Sequence, residues 1–240
     1  MPLSPLELVI ACVATFAGAF VQGSIGFGMA LAAGPVLVLI DPGLVPAPLI
    51  AAGLAVTLVI ARRERRSMDF TGLRFGLPGL VLGCIAGAAV LVQAPAERLP
   101  LVFGSLVLVA VALSLVGLKV RLAPRNIVVA TLIAGFMSTT ASIPGPPLAL
   151  LYQHAGPSRL RGTLAPLLLT TNLVSLVTLR IAGRFGPAEI ALALLLIPSA
   201  LVGVGASRWG AARLPPEAVR AGVLGLSALA GMTAIARGLG

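Results

Sequence analysis

Two uncharged runs of 33 residues each, Leu8 to Ile40 and Asn126 to Ser158, constrain what this chain can fold into more than any other feature. As continuous helix at 1.5 Å per residue each would measure about 50 Å, well beyond the ~30 Å of hydrocarbon that about 20 residues cross. Two full crossings need more residues than either run holds. Each run is also interrupted near its middle, by Gly23-Ser-Ile-Gly-Phe-Gly28 in the first and Ser142-Ile-Pro-Gly-Pro-Pro147 in the second. Glycine interrupts a helix through excess backbone freedom, and proline through its missing N–H. The pattern predicts two broken helical hairpins, residues 6–40 and 127–153, each entering and leaving the membrane on one side.

The rest of the chain divides at its charges into runs of single-span length, predicting transmembrane helices over 44–61, 73–92, 99–118, 163–181, 188–207 and 218–236. Only 10% of the 240 residues are charged and mean hydropathy is +1.09, against about 25% charged residues in a soluble domain. The fold class expected is an all-α polytopic membrane protein. The formal net charge of +10 would suggest nucleic acid in a soluble chain, but here the bases lie between apolar runs and read as orientation signals. With both long runs as hairpins and Arg62-Arg-Glu-Arg-Arg66 inside, thirteen Lys and Arg fall inside and four outside. That parity puts both termini outside a plasma (inner) membrane. Val9-Ile-Ala-Cys12 resembles a lipoprotein cleavage box, yet no base precedes it and the apolar stretch before it is short, so no cleaved leader is expected.

The chain is also written twice. A shift of 118 residues superposes Ser24-Ile25 on Ser142-Ile143 and Ala47-Pro-Leu49 on Ala165-Pro-Leu167. A shift of 120 superposes Gly79, Gly83 and Gly87 on Ser199, Gly203 and Ser207. Residues 1–122 and 123–240 thus form two membrane repeats, each a broken hairpin plus three spans. An odd number of crossings per repeat gives the two opposite orientations, so they are inverted-topology repeats. Secondary transporters are built this way, with substrate held near the midplane where discontinuous helices meet.

A broken helix leaves N–H groups at its new N-terminus, and these persist at membrane depth only against protein, water or a ligand. An anion suits them, because the amides are aligned and carry a partial positive charge. The second arms are expected to start near Gly26 to Met29 and Pro146 to Leu148. Candidate substrate-binding residues at or near the breaks are Gln22, Gly23, Ser24, Gly26, Gly28, Thr139, Thr140, Ser142 and Gly145, with Thr171 and Asn172 mid-span on a helix that must pack nearby. Against this stands the plain alternative that Ser and Thr bond their own helix and Gly only permits close packing. The stripe Gly79, Gly83, Gly87, with small residues every fourth position, reads as packing.

No catalytic residue, cofactor or metal is called for. Cys12 and Cys84 sit inside apolar runs, and no Cys/His ligand spacing exists. The partners expected are a small anionic substrate and the lipid bilayer, with a homo-oligomer left open and nucleic acid excluded. No Asp or Glu lies deeper in a span than its second residue, so a carboxylate proton relay is missing. Export does not require one, since an inside-negative potential favours anion exit by about 2.3 kcal/mol per charge per 100 mV. Two other readings stand beside a carrier: a passive anion channel, and an intramembrane serine hydrolase with Ser24 or Ser142 as nucleophile and His154 as base.

The broken glycine-rich hairpin followed by Pro35, the Ala47-Pro-Leu start of the next helix, the basic loop and a second copy opening Ala134-Gly-Phe-Met resemble the sulfite exporter TauE/SafE permease family over essentially the whole chain. The resemblance implies a permease for small sulfur-containing anions such as sulfite or organosulfonates. Two details depart from the family pattern: Met29 follows Gly28 where a further glycine is common, and the second break is Pro-Gly-Pro-Pro instead of a glycine run.

Overall fold

The computed structural model describes residues 3–68, 70–116, 120–152, 157–210 and 216–239. Among them the secondary structure is helical with no strand: α1 (Pro5–Ile25), α2 (Met29–Ile40), α3 (Ala47–Arg63), α4 (Thr71–Gln93), α5 (Leu99–Leu115), α6 (Pro124–Ala141), α7 (Gly145–Tyr152), α8 (Pro157–Ile181), α9 (Pro187–Gly210) and α10 (Pro216–Leu239). Local chemistry sets several of these limits. Ser4 caps α1, accepting from the Glu7 N–H while the Glu7 carboxylate accepts from the Ser4 N–H, and Pro5 supplies a first-turn residue that needs no partner. Gly26 ends α1 at φ 105°, and Gly28 opens α2 at φ 107°, a left-handed backbone that glycine adopts without strain.

Both interruptions fall inside the 33-residue runs, at residues 26–28 and 142–144. Their arms are unequal in length. The first arms are 21 and 18 residues long, while the second arms have 12 and 8. The reason is positional: each break lies beyond the middle of its hairpin, and each first arm reaches back to a proline that starts it, Pro5 or Pro124. Among the described residues, five helices have the length and apolarity to cross a membrane, namely α1, α3 with its preceding turn, and most of α4, α8 and α9. The first arm of the first hairpin is therefore one of the helices long and apolar enough to cross. Helix α2, helix α5 and the apolar part of α10 are shorter.

Helix α3 lies at the centre, against α8 and α9, while α1 packs on α9, α4 on α6 and α5 on α10. Close approach makes the α4–α6 pair tight. A Cβ at Gly83 would collide with the Leu132 carbonyl, one at Gly79 with that of Val128, and one at Gly135 with that of Leu80. Gly203 on α9 meets the Phe16 carbonyl of α1 in the same way. The four-residue spacing is thus a packing face, on which small residues let van der Waals attraction and backbone approach substitute for a hydrophobic driving force. The perimeter is apolar: Val13, Leu82, Val109, Leu194, Val202 and Leu229 are all exposed. So wide an apolar girdle belongs in lipid.

Candidate functional site

The two interruptions touch. The Phe27 side chain lies against Gly145, where an added Cβ would come within 2.8 Å of both Cβ and Cδ2 of Phe27. Around this joint is a cavity of about 30 Å³, lined by Gln22, Gly28 and Met29 from the first break, Ser142, Pro144 and Gly145 from the second, and Gly53 and Asn172 from α3 and α8. At roughly 10–15 Å³ per water, it holds about two water molecules.

Each break presents the end of one helix and the start of the next. The carbonyls ending α1 are capped by cations from other helices: Arg63 Nη2 donates to Gly23 O at 2.8 Å and Arg161 Nη1 to Ser24 O at 3.5 Å. Glu64 holds both guanidiniums, with Oε1 at 2.9 Å from Arg161 Nε and 3.7 Å from Arg63 Nε. Cations at a helix C-terminus offset its partial negative charge. That leaves the positive start of α2, which has no side-chain cap, to set the field on the cavity side. The first bond of α2 runs from Ala32 N to Gly28 O, so the N–H groups of Met29, Ala30 and Leu31 have no partner within the helix.

The second break is finished differently. Ser142 sits at φ 64°, and its N–H together with that of Ile143 turns back to the carbonyls of Met137 and Ser138. The end of α6 is thereby closed by its own backbone. Helix α7 starts at Gly145, one residue earlier than expected, and two of its next residues are Pro146 and Pro147. Neither has an N–H, so its first turn offers fewer donors than that of α2.

One hydroxyl organises the polar wall. Thr57 Oγ1 donates to Gly53 O at 2.7 Å and accepts from Gln22 Nε2 at 3.2 Å and Asn172 Nδ2 at 3.4 Å, joining α1, α3 and α8. Its position 118 residues on is Ser175. There, Ser175 Oγ donates to Ser138 Oγ at 2.9 Å, accepts from Thr139 Oγ1 at 3.0 Å and lies 3.4 Å from Cys84 Sγ.

Of the residues picked from sequence, Gln22, Gly28, Ser142, Gly145 and Asn172 meet at the cavity. The Ser142 hydroxyl is engaged with Pro46 O at 2.8 Å. Ser24, Thr140 and Thr171 donate to the carbonyls four residues earlier, Phe20, Phe136 and Leu167, and Thr139 faces the Ser175 cluster. Gly23 packs on Ser207 and Gly26 on Arg161. His154 lies outside the described residues. Among them, no group of three or more His, Cys, Asp or Glu side chains could hold a metal.

Sequence reasoning missed Phe27, Gly53 and Thr57, and it treated Arg63 and Arg161 as orientation signals alone. The 118-residue shift, which pairs Thr57 with Ser175, was the available signal for Thr57.

Broken helices that touch one another around a small cavity reached by Gln22, Ser142 and Asn172, inside an apolar perimeter, define a polytopic helical protein of the membrane-transporter class. Within that class, the family model for the sulfite exporter TauE/SafE matches residues 10–234, and the chain belongs to that family. No curated protein and no solved structure shows significant similarity to it.

Proposed function

We propose that this chain is a secondary transporter that exports a small anion, sulfite or a small organosulfonate or carboxylate, through the cavity between its two broken hairpins. The observation that carries this reading is the convergence of both interruptions on one cavity walled by the start of α2 and by the amide side chains of Gln22 and Asn172. In this reading the N–H groups of Met29 to Leu31 hold the anion's oxygens, with side-chain N–H groups of Gln22 and Asn172 turning from Thr57 to join them. The cavity is too narrow for a sulfonate, so its walls separate to admit one.

The repeats at 1–122 and 123–240 belong to the same proposal. Exchange of one half for the other supports them: α1 packs on α9 as its counterpart α6 packs on α4, while α3 meets α8 and α5 meets α10. Gly83 against α6 likewise matches Gly203 against α1. We place the protein in the plasma membrane with the basic α3–α4 connection inside and both termini outside, by the positive-inside rule. The membrane potential then drives exit without a carboxylate relay.

Counterflow in proteoliposomes tests the reading. Vesicles loaded with sulfite, a small sulfonate or a small carboxylate should exchange labelled anion, and Asn172→Leu should abolish that exchange while leaving the protein folded. Failure of every anion to move would remove the proposal.

A further inference from the structure

The basic end of the molecule carries a second, independent feature. Arg62, Arg63, Arg65 and Arg66, at the end of α3 and in its connection to α4, face Arg208 from the last turns of α9 around one depression of about 540 Å³. Among the described residues, Glu64 is the single carboxylate lining it, and that group is bound to Arg63 and Arg161. The Ser67 hydroxyl is turned to Glu64 as well. Orientation in the membrane requires only that bases lie on one side. It does not require guanidiniums from the ends of two separate helices to surround one hollow, where their mutual repulsion is unfavourable unless an anion lies between them.

We propose that this depression binds the phosphate of an anionic phospholipid headgroup. Guanidinium groups match phosphate oxygens through paired N–H donors, and clusters of arginine at the membrane surface attract anionic lipids. Lipid is favoured over a soluble phosphate by what adjoins the hollow. Trp209, next to Arg208, is 75% exposed, and exposed tryptophan marks headgroup depth. Leu201 and Val202, further along α9 toward its start, are exposed and apolar, a surface suited to acyl chains. Arg63 belongs to both regions, since it lines the hollow and also caps the end of α1 at Gly23 O. A headgroup seated there therefore acts directly on the helix end beside the first interruption.

Native mass spectrometry of the full chain, purified in neutral detergent and mixed with phosphatidylglycerol or phosphatidylcholine, tests this site. The expected result is retention of phosphatidylglycerol and not of phosphatidylcholine. At about fivefold per base near an anionic surface, the triple variant Arg65→Gln/Arg66→Gln/Arg208→Gln should bind about a hundredfold more weakly. Arg98→Gln, beyond the far end of α4, should bind as the unaltered chain does. Should the triple variant aggregate, Arg208→Gln alone reads the same site with about a fivefold loss. Equal retention by the soluble variants and the unaltered chain would overturn the proposal. Displacement of the lipid by millimolar inorganic phosphate would overturn the choice of a lipid in favour of a soluble phosphate.

Discussion

Replacing Gly145 with alanine puts one methyl group into the joint between the two interruptions. The new Cβ would lie 2.8 Å from Phe27 Cβ and Cδ2 and 3.2 Å from Cγ, where ordinary contact begins near 3.4 Å. Turning the ring relieves the contacts to Cδ2 and Cγ, and there is room for that in the neighbouring cavity of about 140 Å³ between α5 and α7. It does nothing for the contact to Cβ, which is fixed to the backbone, so the two breaks must move apart by several tenths of an ångström. Overpacking of this kind costs about 1–3 kcal/mol. At about 2–4 °C per kcal/mol for a chain of this size, the melting temperature in detergent should fall by about 2–12 °C. Counterflow should fall at least tenfold, because the displaced groups are the cavity wall. Adding Phe27→Gly removes all three clashing atoms, so the double variant should be more stable than the two separate losses predict, by about 1–2 kcal/mol. Separate losses that add to within about 0.5 kcal/mol, as they do for sites that do not interact, would refute the claim that the interruptions bear on each other.

Other substitutions read other parts of the structure. Gly83→Ala should lower the melting temperature clearly, because its methyl group meets the backbone carbonyl of Leu132, whereas Gly205→Ala, with nothing within 4 Å, should be neutral or slightly stabilising; equal melting temperatures would contradict the assigned α4–α6 contact. Thr57→Val keeps the side-chain shape but removes the hydroxyl joining Gln22 and Asn172. At about 0.6 kcal/mol for each interhelical hydrogen bond in a membrane, it should cost about 1 kcal/mol by thermal melt, with a larger loss in counterflow that Thr57→Ser restores. Glu64→Gln should leave Arg63 and Arg161 partly buried and facing one another, lowering stability by about 1–3 kcal/mol, and the deficit should shrink as salt screens the repulsion.

Much of this architecture is legible in the sequence because charge is so scarce. An uncharged run too long for one crossing and interrupted by Gly26 and Gly28, or by Pro144 and Pro146, has few ways to sit in lipid, and the helix breaks fall there. The unequal arms were harder to read, since apolar composition says nothing of how far a helix continues on either side of its break. The destination of a hydroxyl was harder still. Ser24, Thr140 and Thr171 lie within two positions of residues that reach the cavity, yet each closes a local bond to the preceding turn, a choice set by rotamer and helix face and not by residue type. Arg63 and Arg161 were obscured by a different cause. A base in a connecting loop already satisfies the orientation rule, and nothing local marks the two that fold back onto the end of α1.

The composition of the two interruptions carries a mechanical consequence. Gly26 and Gly28 allow the first break many backbone states at little energetic cost, while Pro144, Pro146 and Pro147 fix φ at three positions of the second and also restrict the residues before them. The two breaks therefore differ in stiffness. In the proposed transport cycle, a change in the side to which the passage opens would place the rotation on the glycine joint at the end of α1, with the proline joint as the anvil against which it turns.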